Sequence, residues 1–202
     1  MKKILLILSV FYTSAIFSQP DVKEITKLSD SLSTSTPFQI NFQQDAAQLD
    51  SIFYSNVGKQ YFNFNATTLD NETITEKSLL GKVSFIYFWF QGCSPCIAEF
   101  EDLNKLYTKY VNNSNFQFIS FTKDEPEYAH KTKLKYDLLF PICPISWDEC
   151  SRLNLHSGFP VIIITDKQGK IFYLKHGGYV DKEKVKKQIQ LFEQKITEAL
   201  SL

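Results

Sequence analysis

The sequence predicts an α/β protein with a mixed central sheet and helices on both faces. KVSFIYFWF (82–90) is a nearly continuous apolar run, typical of a strand covered on both sides. The residues that follow it carry an apolar stripe at helical spacing, from Phe100 to Val111. Strand and helix patterns then alternate to the end of the chain, an order that favours a layered α/β domain.

The remaining elements follow in order from turn, capping and periodicity signals. Residues 60–75 are β-prone, with a turn at Asp70 and Asn71. Downstream, the patterns predict a strand at 115–122, a helix at 125–138, an extended segment at 140–145, a short helix at 146–155 capped by Ser146, a hairpin whose strands (160–165 and 170–175) flank DKQG, and a last helix capped by Asp181.

Composition limits the classes of partner. The 202 residues are 44% hydrophobic and 22% charged, which suits one globular domain with extensions. Lys and Arg together number 22, as do Asp and Glu, so the formal net charge is zero. A neutral chain has no net field to attract nucleic acid, and we expect no nucleic-acid partner.

The N-terminus predicts export. Lys2 and Lys3 precede an apolar run at 4–17 that is shorter than the ~20 residues a spanning helix needs. We interpret residues 1–18 as a cleaved signal peptide, with a retained anchor as the alternative. Residues 19–57 are polar and read as a loosely attached N-terminal extension, and 58–202 as the folded domain. The expected location is the periplasm or cell envelope.

The stretch WFQGCSPCIAEF (89–100) carries two cysteines at redox spacing. The strand and helix patterns place Cys93 where the helix begins, near unpaired N–H groups that favour a thiolate. Cys96 falls in the middle of the apolar arc. We therefore expect one exposed, nucleophilic sulfur and one buried sulfur that attacks only after a mixed disulfide has formed.

The residues around the Cys93–Cys96 pair indicate the direction of electron transfer and the proton acceptor for Cys96. Ser94 and Pro95 carry no charge, which favours a reductant over a strong oxidant. Glu99 falls inside the apolar arc, where burial raises the pKa of a carboxyl toward the range of a general base. Glu99 is the candidate acid/base for Cys96; a glutamate at the arc's edge that reaches water is the alternative.

From 58 to about 200 the chain resembles the TlpA/ResA-like branch of the thioredoxin superfamily, which has an AhpC/TSA–Redoxin-type domain. The resemblance is carried in order by LLGKVSFIYFWF, CSPCIAEFEDLNKLYTKY and GFPVIIITDKQGKI. It implies a thioredoxin-like fold and an exported protein disulfide oxidoreductase. Several members act in cytochrome c maturation or keep envelope thiols reduced.

The resemblance also implies roles for individual residues and partners. Cys93 would be the attacking thiol, Cys96 the resolving thiol and Glu99 the buried acid. A cis peptide between Phe159 and Pro160 would dock an extended client segment. The implied partners are a client protein with a disulfide or thiols and a membrane thiol electron donor; the expected protein is a monomer without cofactor or metal.

Two positions depart from related proteins, and several alternatives stay open. Tyr87 stands where cytoplasmic thioredoxins carry a buried aspartate, and Gly92 replaces a frequent tryptophan. The main alternative function is a non-catalytic thioredoxin-fold binding module; a zinc site made by all four cysteines is a weaker one. Cys143 and Cys150 either form a second disulfide or are two small, buried, unpaired residues.

Overall fold

The computed structural model describes residues 42–202, with side-chain environments from residue 47 onward. The predicted signal peptide at 1–18, and the extension as far as residue 41, lie outside the described residues. Among the helices of 42–202, none is both long enough and apolar enough to cross a membrane.

From β1 onward the helices and strands follow the predicted order, with α1 before them and a 3-10 helix before β3 as additions. They are α1 Phe42–Tyr54, β1 Asn65–Thr67, β2 Thr73–Thr75, a 3-10 helix Glu76–Leu79, β3 Val83–Trp89, α2 Ser94–Tyr110, β4 Phe116–Thr122, α3 Pro126–Lys135, β5 Ile142–Pro144, α4 Trp147–Leu153, β6 Val161–Thr165, β7 Ile171–His176 and α5 Lys182–Leu200.

Five of these strands form one mixed sheet in the order β5-β4-β3-β6-β7. β3 and β4 are parallel, as are β4 and β5, whereas β6 is antiparallel to both β3 and β7. The predicted hairpin is therefore β6–β7, and Gly169 in its loop has φ +75°, a conformation that glycine adopts without strain. The predicted α/β class, with a thioredoxin-like mixed sheet, is confirmed.

The central strand β3 contributes to both sides of the core, and all seven of its residues are buried. Phe85 and Tyr87 lie in a cluster with residues of α2 and α5. Ile86 and Phe88 lie in a second cluster, with residues of α1 and α4. Because side chains alternate along a strand, only a continuous apolar run can fill two faces.

The N-terminal extension differs from its expected loose attachment. Its described part forms α1, and Phe53 near the helix end is only 3% exposed. The Phe53 ring packs edge-to-face on His176, with ring centroids 5.0 Å apart. Leu49 and Ile52 on the same helix are exposed. Because most apolar side chains described in α1 are exposed, the sequence pattern does not indicate that α1 packs against the domain through Phe53.

Candidate active site

The two cysteines lie at the junction between the central strand and the helix that follows it. Cys93 is the N-cap of α2, and its Sγ accepts a hydrogen bond from the Cys96 N–H at 3.3 Å. Pro95 lies in the first turn, where its missing N–H leaves no unpaired donor. Cys93 and Cys96 form a disulfide, with their Cα atoms 5.2 Å apart. The site is thus in its oxidised state.

The burial of the pair differs in part from the expectation. Cys96 is fully buried, as its position in the apolar arc predicts. Cys93, expected to be exposed, is only 4% exposed. Both cysteines belong to the core cluster of α2 and α5, against which the partly buried Phe90 and Phe159 also pack. The helical wheel could not include these contacts, because they come from other segments.

Glu99 is fully buried on the inner face of α2, so the alternative in which it reaches water does not hold. Its Oε2 accepts from the Tyr87 hydroxyl at 2.9 Å and its Oε1 from the Gln188 amide at 2.7 Å. Burial raises the pKa of Glu99 to about 7, although these two hydrogen bonds and the nearby Lys175 charge lower it. Glu99 can therefore exchange a proton near neutral pH.

The loop before β6 closes the other side of the site. The peptide between Phe159 and Pro160 is cis, and Pro160 is buried. The Pro160 carbonyl accepts from Gly177 N at 2.8 Å, which ties this loop to the end of β7. A Cβ built on Gly178 would overlap Glu99 Oε1 and lie 2.9 Å from Pro160 Cγ and 3.2 Å from Pro95 Cβ. The acid, the cis-proline and the redox turn therefore meet around Gly178.

An aromatic surface flanks the redox turn. Phe90 and Phe159 pack edge-to-face, with ring centroids 5.2 Å apart. Trp147, which is 56% exposed, lies beside Phe159 at 6.3 Å. Lys123 Nζ lies 4.6 Å from the Phe90 ring centroid and 4.8 Å from that of Trp147, within cation–π range of both.

The other two cysteines are free thiols and fully buried. They belong to the cluster on the opposite face of the sheet from Cys96, and burial raises the pKa of each to about 12. Of the two alternatives for Cys143 and Cys150, the structure has the buried pair without a disulfide. Within 42–202, no group of three or more His, Cys, Asp or Glu side chains could hold a metal ion.

Sequence reasoning identified Cys93, Cys96, Glu99, Phe159 and Pro160, which the structure brings to one end of the sheet. It missed Gln188, Lys175 and Gly178. One signal was present for Gln188: it follows Val185 by three residues and so lies on the apolar face of α5, where a polar side chain needs a partner. The surroundings of Lys175 and Gly178 depend on long-range packing and carry no such local signal.

Comparisons with known proteins identify the family of the chain. Residues 57–173 match the model of the AhpC/TSA family. The thiol-disulfide oxidoreductase ResA of Bacillus cereus is 34% identical over 142 residues, which are 70% of this chain and 79% of the relative.

Two solved structures support the fold. One, from Chlorobium tepidum and provisionally named thiol:disulfide interchange protein DsbE, has a TM-score of 0.63 and 22% identity, covering 71% of this chain and 97% of its own. Another, provisionally named a protein disulfide isomerase, is from Bacteroides thetaiotaomicron. It has a TM-score of 0.59 and 22% identity, and the match covers 70% of this chain and 90% of that structure's chain. The chain belongs to the AhpC/TSA family, among the ResA-like thiol-disulfide oxidoreductases, as the family match and the ResA relative show.

Proposed function

We propose that this oxidoreductase is exported and reduces disulfides of client proteins by means of its Cys93–Cys96 pair. The observation that carries the proposal is the disulfide at the N-terminus of α2, with a buried glutamate one turn further along the same helix. A dithiol in this position can pass two electrons to a client disulfide and end as the disulfide that the structure contains.

In the first step the Cys93 thiolate attacks one sulfur of the client disulfide. A bond forms between Cys93 Sγ and that sulfur, and the client's other sulfur leaves as a thiolate. The start of α2 favours this step, because a helix N-terminus stabilises negative charge. The hydrogen bond from Cys96 N to Cys93 Sγ supplies one donor that can remain on the thiolate.

In the second step Cys96 resolves the mixed disulfide. The Glu99 carboxylate takes the thiol proton of Cys96, whose thiolate then attacks Cys93 Sγ. The bond between Cys93 and the client breaks, the second client sulfur leaves as a thiolate, and the Glu99 proton neutralises it. A pKa of about 7 lets Glu99 accept and release a proton at neutral pH.

Client docking is assigned to the segment around Phe159 and Pro160. This loop lies next to the redox turn, since Pro160 and Pro95 both border Gly178. An extended client segment alongside Phe159 would bring its disulfide to Cys93, and the exposed ring of Trp147 would widen the apolar contact. The protein acts as a monomer in this proposal.

The direction of electron flow is proposed from the redox turn itself. Ser94 and Pro95 add no positive charge that would stabilise the reduced pair, so the pair is a reductant. A membrane thiol donor outside the cytoplasm would return the disulfide to the dithiol. Clients in cytochrome c maturation or in general envelope thiol maintenance both fit this chemistry.

Reduction of insulin disulfides with dithiothreitol as electron source tests the proposal. We expect the native protein to accelerate the reaction, Cys93→Ser to abolish the acceleration, and Cys96→Ser to accumulate a mixed disulfide. Cys143→Ser, a change to a buried thiol outside the pair, is the matched control and should stay active. Equal rates for the native protein and Cys93→Ser would favour the binding-module alternative.

The reduction potential of the Cys93–Cys96 couple is a separate test of the direction of electron flow. We expect a value closer to the roughly −270 mV of thioredoxin than to the roughly −120 mV of a strong periplasmic oxidant. It can be measured by equilibrating the protein with glutathione redox buffers and separating the two forms after alkylation. A potential near the oxidant would reverse the direction of transfer and leave the fold unaffected.

A further inference from the structure

The carboxyl of Glu99 is held by neutral groups from two other elements. Tyr87 in β3 donates to Oε2 at 2.9 Å, and Gln188 in α5 donates to Oε1 at 2.7 Å. Both side chains are buried. A buried carboxylate is stable only when its oxygens accept hydrogen bonds, and here each oxygen has one donor. Tyr87 and Gln188 are referred to below as the Glu99 clamp.

The clamp also has spare hydrogen-bonding capacity. The Tyr87 hydroxyl lies 3.3 Å from the Cys96 carbonyl oxygen, a second acceptor for its proton. Gln188 Oε1 is buried and, within the described residues, has no hydrogen-bond partner. A carboxyl that gains a proton becomes a donor and needs an acceptor. Rotation of the Gln188 amide, or of the Tyr87 hydroxyl toward Cys96, supplies one.

We propose that Tyr87 and Gln188 are positioning residues that hold Glu99 in one place both with and without its proton. The carboxyl can then take the proton of Cys96 and pass it to the leaving client sulfur without moving. This inference rests on the acid/base role proposed for Glu99 and adds how the fold makes that role reversible. It also explains why a tyrosine can occupy position 87 beside the active-site helix.

The surroundings of the clamp limit what else can titrate there. Apart from Tyr87, the titratable group of the described residues that acts on Glu99 is Lys175 from β7; α5 contributes the neutral Gln188. Lys175 Nζ donates to the carbonyls of His176 and Gly177. The lysine therefore acts on Glu99 through its charge, and no hydrogen bond joins the two side chains.

Gly178 keeps the space that the carboxyl occupies. Because a Cβ at this position would overlap Glu99 Oε1, a side chain there would displace the carboxyl from Gln188. The conformation of Glu99 is thus restricted from three sides: by Tyr87, by Gln188 and by the backbone of residue 178.

Titration of the Glu99 carboxyl by NMR tests the clamp directly. The reduced protein, labelled with ¹³C-glutamate and assigned with Glu99→Gln, is compared with Gln188→Met and Tyr87→Phe. Each variant removes one donor to the carboxylate, so the titration midpoint should rise by about one pH unit. Gln190→Met on the exposed face of α5, and Tyr61→Phe, which removes another buried hydroxyl bonded to a backbone carbonyl, should leave it unchanged.

The pH profile of mixed-disulfide resolution is the second readout. Below the midpoint, a rise of about one pH unit leaves ~10-fold less carboxylate, so resolution at pH 6 should slow ~10-fold in Gln188→Met and recover at higher pH. A change in structural stability alone would not shift the profile along the pH axis. Circular dichroism shows whether Gln188→Met and Tyr87→Phe fold. If one of them does not, the other is used for both the titration and the pH profile.

Two results would overturn the inference. One is a midpoint in Gln188→Met no different from that in Gln190→Met; the other is a midpoint that moves while the pH profile of resolution stays in place. Failure of the underlying function has a different signature, because Glu99→Gln would then resolve the mixed disulfide at the native rate.

Discussion

At the scale of single residues, the site depends on a glutamate whose burial is only partly offset by hydrogen bonds. Four residues after Pro95 in α2, Glu99 combines a fully buried carboxyl with a pKa raised to about 7. The same property that suits it to proton transfer makes it a cost to the fold when ionised, because the unfolded chain solvates a carboxylate better than this interior does.

Glu99→Gln should remove a pH dependence of stability. The folded-state pKa of Glu99 lies above its ordinary value of 4.5, so its contribution is fully present below about pH 4.5 and is lost as the pH rises through about 7. The loss amounts to roughly 3 kcal/mol. Urea unfolding of the oxidised protein at pH 4.5 and pH 8 measures it, with Glu101→Gln, exposed on the same helix, as control. Equal pH dependence in the native protein and Glu99→Gln would contradict the prediction.

At the scale of elements, most of the fold follows from local patterns. The apolar run of β3, the turn before β7 and the caps of α4 and α5 are all predicted from sequence and observed. Each depends on neighbours within a few residues, so a single sequence contains the signal. The clamp on Glu99 joins residues 87, 99 and 188, and Gly178 lies beside both Glu99 and Pro160. Periodicity can show that Gln188 lies on the buried face of α5, but it cannot show which residue of another element is its partner.

The N-cap of α5 is a direct test at this scale. The Asp181 side chain accepts from Lys184 N at 2.9 Å, so Asp181→Ala should lower the free energy of unfolding by about 1 kcal/mol. Asp181→Asn retains an accepting oxygen and should cost much less. Thermal or urea unfolding followed by circular dichroism separates the two, and equal losses would mean that the cap does not stabilise α5.

At the scale of the whole molecule, one sheet separates two clusters that share the strand β3. Trp89 reports on the cluster with α2 and α5, whereas Cys143 and Cys150 report on the other. Because alternate side chains of the same strand build both clusters, neither face can lose its packing without disturbing the other. The described domain should therefore unfold as a single unit.

Unfolding transitions that coincide for probes on the two faces of the sheet would verify that the domain unfolds as one unit. In a Trp147→Phe background, Trp89 fluorescence and maleimide labelling of the oxidised protein should give the same denaturant midpoint. Labelling should be negligible in the native state, where burial raises the pKa of both free thiols to about 12, and should reach two thiols on unfolding. Thiol exposure at clearly lower denaturant would show that the faces unfold separately.

The junction at which β3 ends and Cys93 begins the next helix has a further consequence. The redox sulfurs and their proposed proton acceptor Glu99 are buried at the start of α2. The aromatic surface beside them, made of Phe90, Trp147 and Phe159, comes instead from loops and the start of α4. If client docking is at this aromatic surface, as proposed, substitutions there should change which clients are bound while the redox pair stays as it is. The proposed function thus assigns client choice and electron exchange to different segments of the chain, so that client choice could be altered by substitutions at a few surface positions.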